Sequence, residues 1–222
     1  MANVAENKEY KDIPLTKQKW LDEMEDTLVD CVGDTAQFAK VFMPHRFERE
    51  FDPPYEEIFR LLDDDRKKRV VIAAPRGTGK TSIDAIAFPA RKICYQESKY
   101  IVVVSCTHKL AAQIVRQLGR ELTDNPNIIQ AFGPLKGSRW SEGEGELRTS
   151  TGVTILARGA DQQVRGLLEE SRPDLIIIDD LEDSEPFRIG SAEEYVKKIS
   201  EWFRTDLLNI IDRASKLSLI HI

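Results

Sequence analysis

The chain has 222 residues, 41% of them hydrophobic and 32% charged, which suits a soluble globular protein of one large domain, or of one domain plus a small appendage. A formal net charge of −6 argues against a protein that coats nucleic acid over its whole surface, while leaving room for DNA contacts confined to a few loops. No apolar stretch approaches the roughly 20 residues that cross a bilayer, and no apolar core marks a signal peptide between Met1 and Lys11.

Residues 15 to 40 mix apolar positions such as Trp20, Met24, Leu28 and Phe38 with many acids, and predict one or two short helices within an N-terminal helical or lid segment, 1–45. Next come Phe42-Met43-Pro44-His45-Arg46-Phe47 and Phe51-Asp52-Pro53-Pro54-Tyr55, where the prolines interrupt any helix. Helical spacing resumes from Glu56 to Leu62. The basic run Arg66-Lys67-Lys68-Arg69 reads as the solvated start of a strand, with a DNA patch as the alternative. Val70-Val71-Ile72-Ala73 then reads as a buried strand.

The segment Ala74-Pro75-Arg76-Gly77-Thr78-Gly79-Lys80-Thr81 follows that strand and leads into a helix that starts with Ser82-Ile83-Asp84-Ala85-Ile86-Ala87-Phe88. Strand, glycine turn and helix N-terminus together make an anion site, because unpaired backbone N–H groups and the helix dipole converge there. The pattern G-x-x-x-x-G-K-[ST] is met except at its first position, where Ala74 replaces glycine. Lys80 would reach the β- and γ-phosphates of ATP, and the Thr81 hydroxyl would hold Mg²⁺. Arg76 would either contact the γ-phosphate or face solvent. The aromatics and prolines at 42–55 would then pack on the adenine ring or close the sheet as a hydrophobic lid.

Tyr100-Ile101-Val102-Val103-Val104-Ser105 is a second buried strand, and the next helix carries Ala111, Ile114, Val115, Leu118 and Leu122 inward with Arg116, Arg120 and Glu121 outside. A turn-rich region, Asp124 to Gly145, precedes a hairpin of Leu147-Arg148-Thr149 and Val153-Thr154-Ile155-Leu156 about Ser150-Thr151-Gly152. A polar loop with Arg158, Gln162, Gln163, Arg165 and Gly166 leads to Leu175-Ile176-Ile177-Ile178-Asp179-Asp180. Four β-branched or aliphatic residues suit a strand covered on both faces, and the acids at its C-terminal end lie where open α/β sheets bind ligands. This is a Walker B arrangement: Asp179 acts on the metal shell, and Asp180 or Glu182 activates the attacking water. Ser191 and Glu194 form a capping box for a helix with Tyr195, Ile199, Trp202, Phe203, Leu207 and Ile211 on one apolar face.

Alternation of strands and helices predicts an α/β RecA-like (ASCE) P-loop ATPase, with a central mostly parallel sheet flanked by helices, over 46–216. Cys31, Cys94 and Cys106 fit no zinc or redox pattern and read as small apolar residues in a reducing compartment. The last six residues, Leu217-Ser218-Leu219-Ile220-His221-Ile222, are identical to the translation of the transposon-end adapter used in shotgun DNA library preparation. Residues 217–222 therefore read as a sequencing-adapter tail, with the natural frame cut near Lys216; a short native C-terminal strand is the alternative that the apolar alternation permits.

The P-loop Pro75-Arg76-Gly77-Thr78-Gly79-Lys80-Thr81, the loop Gln163-Val164-Arg165-Gly166, and Arg172-Pro173-Asp174 before Asp179-Asp180 together resemble the ATPase domain of the large terminase subunit of tailed bacteriophages, over roughly residues 40 to 212. The resemblance implies an ATP-driven motor that moves double-stranded DNA into procapsids in the host-cell cytoplasm. Its implied partners are the portal protein and the small terminase subunit, with a homo-oligomeric ring when full length and no membrane. It also implies a C-terminal nuclease domain that this fragment is expected to lack. Arg165 would serve as an arginine finger to a neighbouring subunit, or pair with Asp179 or Glu169. An ATP-dependent helicase of the two-RecA-domain kind, with Ser105-Cys106-Thr107 as its second motif, is the alternative, and a non-catalytic nucleotide-binding scaffold a third.

Overall fold

The computed structural model describes residues 24–75, 77–160, 162, 172–181, 192–207 and 215–221. At the centre of the sheet is β2 (Tyr100–Ser105), all of whose residues are buried, as expected for a β-branched run with both faces covered. It pairs in parallel with β5 (Thr154–Gly159) on one side and β6 (Leu175–Asp179) on the other. Beyond β6 lies β7 (Lys216–His221), and beyond that β1 (Arg69–Ala73), both again parallel. On the opposite flank β4 (Glu146–Thr149) and β3 (Lys136–Ser141) are antiparallel, giving the order β1-β7-β6-β2-β5-β4-β3. β7 thus lies between β1 and β6 in a mostly parallel sheet flanked by helices, the α/β RecA-like class expected from the sequence.

One face of the sheet is covered by α1 (24–30), α2 (Thr35–Phe42), α3 (Pro53–Asp63), α4 (Phe88–Cys94), α5 (His108–Asp124) and α6 (Pro126–Phe132). They bury Phe38, Phe42, Phe88, Ile93, Leu118 and Leu122 against Ile101, Val103 and Ile177. On the other face α7 (Ala192–Trp202) and the wider turn Phe203–Leu207 place Trp202 and Leu207 against Val102, Val104, Ile176 and Ile178. The described part of the N-terminal segment packs into the first core. Arg91, 1% exposed, locks it there: its guanidinium meets Thr35 Oγ1 at 2.9 Å, Glu97 at 2.5 Å and Asp63 at 3.3 Å.

The sequence-based expectations hold for β2, for α5's apolar stripe and for the β4–β5 hairpin, where Leu147 faces Ile155 and Gly152 takes a φ of 90°. Four need correction. First, Pro53 and Pro54 do not interrupt a helix but open α3, since the first turn needs no N–H from them. Second, the region 124–145 contains α6 and β3 rather than turns alone; Asn125 caps α6 by accepting from Asn127 and Ile128. Third, β1 is not buried on both faces, because it ends the sheet, and Val71 is 67% exposed. Fourth, Glu121 points inward, as described below.

The C-terminal residues Lys216–His221 form a strand: Leu217–His221 pair with β1 and Lys216–Ile220 with β6. A slot between two parallel strands offers two rows of unpaired N–H and C=O groups, and an extended segment with apolar alternation fills it through backbone pairing alone.

Candidate active site

The loop after β1 turns back through two residues that need a left-handed backbone, Gly77 (φ 79°) and Gly79 (φ 71°). There is open space for a Cβ at both, so backbone conformation and not crowding selects glycine. Ala74 is absent from the positive-φ residues, which is why alanine serves at the loop's first position. Thr78 Oγ1 closes the loop by donating to the Pro75 carbonyl at 2.9 Å. Lys80, 7% exposed, donates to the carbonyls of Ala74 and Pro75, which holds its ammonium across the loop mouth.

From Lys80 the chain is helical. It widens into a π turn over Ser82–Ala87, with the Phe88 N–H bonded to the Ile83 carbonyl five residues back. Pro89 follows at once; lacking an N–H, it cannot make the bond to Ala85 that a regular α-helix requires. The Thr81 hydroxyl donates to Asp179 Oδ2 at 2.9 Å, joining the P-loop to the Walker B strand. Burial raises the Asp179 pKa, helped by the charge of Asp180 and opposed by the Thr81 hydrogen bond and Lys80. One hydroxyl and one carboxylate, both hard oxygen donors, fit Mg²⁺.

Asp180 takes a left-handed backbone, φ 48°, a conformation aspartate tolerates better than most residues. Its carbonyl accepts the Cys106 N–H at 3.0 Å and lies 3.4 Å from Ser105 Oγ, so the ends of β2 and β6 are tied at the acid pair. At the opposite edge Asp174 of Arg172-Pro173-Asp174 accepts the N–H groups of Lys99 and Tyr100, fixing where β6 begins beside β2.

A cavity of about 520 Å³ opens beside the loop, lined by Gly77, Thr78, Gly79, Ser82 and Ile83 on one side and by 45–52 and Tyr55 on the other. The upstream aromatic segment therefore stands against the P-loop, with Phe51 packed between Phe47 and Phe59. Of the residues singled out in the sequence, Lys80, Thr81, Asp179 and Asp180 are brought together at one sheet edge. Arg76, Arg165 and Glu182 lie outside the described residues.

Two groups escaped sequence reading. Glu121 is buried at 6% exposure and accepts from Arg46 Nε at 2.6 Å, His45 Nε2 at 3.0 Å and Asn125 Nδ2 at 2.9 Å. Its spacing was a usable signal: three residues after Leu118 and seven after Ile114, it falls on the inward stripe. Asp84 is fully buried, three residues past Thr81, with neither carboxylate oxygen in a hydrogen bond among the described residues. Nothing in its spacing separates it from a helix-surface acid.

The family model described as "Phage terminase large subunit gpA, ATPase domain" matches residues 42–207. No curated protein matches the chain. Among solved structures it is similar to the large terminase ATPase domain of Thermus phage P74-26, determined as a point mutant. The two are 14% identical, with 80% of this chain and 67% of that chain covered at a TM-score of 0.46.

Proposed function

The chain belongs to the ATPase-domain family of phage terminase large subunits, and on that premise we propose that it binds ATP at the Ala74–Thr81 loop and hydrolyses it to drive DNA packaging. The observation that carries this reading is the 2.9 Å bond from Thr81 to Asp179, because it brings the two Walker elements to one point although a whole strand separates them in the sheet. Lys80 leaves the loop carbonyls for the β- and γ-phosphate oxygens and offsets the charge that develops as the γ-phosphoryl departs. Gly77, Thr78 and Gly79 present backbone N–H groups to the same oxygens. Thr81 and Asp179 would hold Mg²⁺, which would supply neutralisation of the phosphate charge. Asp180 or Glu182 orients the attacking water and takes its proton. The oxygen of that water bonds to the γ-phosphorus as the bond to the β–γ bridging oxygen breaks, releasing ADP and phosphate. Arg165, supplied by a neighbour in a ring, would stabilise the same charge from outside.

The work on double-stranded DNA belongs to the whole protein, acting as a ring with portal protein and small subunit in the host-cell cytoplasm. No described helix is long and apolar enough to cross a membrane. The test is phosphate release from ATP by the purified chain and by Lys80→Ala. Turnover that requires magnesium and falls at least a hundredfold in the variant is expected. An equal rate in the variant refutes the assignment.

A further inference from the structure

The cavity beside the P-loop has a wall whose anchorage is unusual. Its residues 45–52 belong to no helix or strand, yet His45 and Arg46 are held by a carboxylate buried in a different element. Glu121 sits one turn from the end of α5 and takes Arg46 Nε at 2.6 Å and His45 Nε2 at 3.0 Å on the same oxygen, Oε1. Its other oxygen accepts Asn125 Nδ2 at 2.9 Å, and Asn125 also donates to the Phe42 carbonyl at 2.8 Å, just before the wall begins. Burial alone would raise the Glu121 pKa, but the hydrogen bonds from His45, Arg46 and Asn125 outweigh it and hold the group below its usual range. A buried anion is therefore fixed where the wall starts.

Arg46 spends only its Nε on Glu121 among the described residues, and the rest of its guanidinium belongs to a side chain that lines the cavity. A planar guanidinium held at one nitrogen presents its remaining N–H groups and its flat face in a fixed plane, suited to a ribose or purine partner. From this geometry we propose that Glu121 is a positioning residue for nucleotide binding: it aims Arg46 at the nucleoside half of the nucleoside triphosphate whose phosphates lie on the P-loop. The proposal rests on the ATP reading above and adds what selects the nucleoside. It separates two halves of the site, since the phosphates are held by Gly79, Lys80 and Thr81 and the nucleoside by a wall that α5 supports.

The test is equilibrium binding of ATP and of inorganic triphosphate, each with magnesium, to the wild-type chain, Glu121→Gln and Arg46→Ala. Glu121→Gln keeps the size and the acceptor for Asn125 but removes the charge that holds Arg46. Arg46→Ala removes a partly exposed side chain and leaves Glu121 its His45 and Asn125 donors. Both variants should bind ATP about tenfold more weakly, the scale of one charge-assisted hydrogen bond, and triphosphate within twofold of wild type. Steady-state hydrolysis should show the same split, with KM raised and kcat kept. Unchanged ATP affinity overturns the proposal, and so does an equal loss of both ligands, which would make Glu121 a general support. Triphosphate binding that persists while ATP gains nothing over it sinks this inference and leaves the P-loop reading standing; failure of the wild type to bind either ligand sinks both.

Discussion

Asp84 offers the sharpest quantitative test of this structure. Its carboxyl is fully buried behind the P-loop helix, and burial is the first cause that pushes its pKa from 3.8 up to about 7. The Ser218 hydroxyl and the Lys216 ammonium oppose that rise, and the charge of Asp179 adds to it. Ser218 Oγ eases the charge without reaching hydrogen-bond geometry, since it and both Asp84 oxygens lack a partner among the described residues. An acid whose pKa is raised by folding binds more protons in the folded state. Between pH 3.8 and about 7 its contribution therefore falls as pH rises, the reverse of a salt-bridged aspartate. At roughly 1.4 kcal/mol for each tenfold change in proton affinity, the full cost above pH 7 is about 4 kcal/mol. Asp84→Asn removes the titration and keeps the shape, while its buried amide lacks partners at a cost of about 1–3 kcal/mol. The variant should match or exceed wild-type stability at pH 8 and fall below it at pH 4.5. Urea denaturation followed by far-UV circular dichroism, without nucleotide or magnesium, measures both. Other groups titrate equally in the two proteins, so only the change in their difference matters. Wild type and variant losing stability in parallel between the two pH values would refute the burial argument.

Three further outcomes are expected. Arg91→Ala strips a buried cation from Asp63, Glu97 and Thr35 and should destabilise the chain by about 3–5 kcal/mol in the same urea assay; a loss below 1 kcal/mol would show the network to be dispensable. Thr81→Ala should leave stability within about 1 kcal/mol but abolish the gain in ATP affinity that magnesium gives, read by titrating nucleotide with and without the metal. Iodoacetamide should label half-buried Cys106 first, because Cys31 is buried with its thiol pushed up to about 11 and Cys94 is buried and raised further. Peptide mass spectrometry would detect the reverse order.

Local patterns in the sequence were enough to find β2, β6 and the P-loop, because each rests on neighbours close in the chain: a β-branched run, a glycine pair, acids at a strand's end. What stayed illegible depends on partners far away. Val71 looks like its neighbours in an apolar run, and only its place at the sheet edge leaves it exposed. Glu121 carries a surface-type side chain at a core spacing; charge outvoted position until His45 and Arg46, some 75 residues upstream, appeared beside it. Pro53 and Pro54 read as breakers because a proline pair serves equally to end one helix or begin the next. The acids of the candidate site were legible as types, while the left-handed backbone of Asp180 and its tie to Cys106 were not.

The strand order also explains why one helix carries two unlike contacts. With β7 between β1 and β6, the P-loop strand and the Walker B strand stand two inter-strand spacings apart, roughly 10 Å. Thr81 spans that gap to reach Asp179 only because the helix rises from the loop over the slot strand. Asp84, three residues on, then lies beneath the same helix against β7, near Ser218. The two contacts share one helical segment, so on the ATP reading proposed above a shift of Thr81 would also move Asp84 against the slot strand. In that slot β7 pairs with β1 over Leu217–His221 and with β6 over Lys216–Ile220, yet the Ser218 hydroxyl near Asp84 does not meet it in bonding geometry. The slot is thus filled by an apolar alternation through backbone pairing, while the buried acid beside it is left without a donor among the described residues.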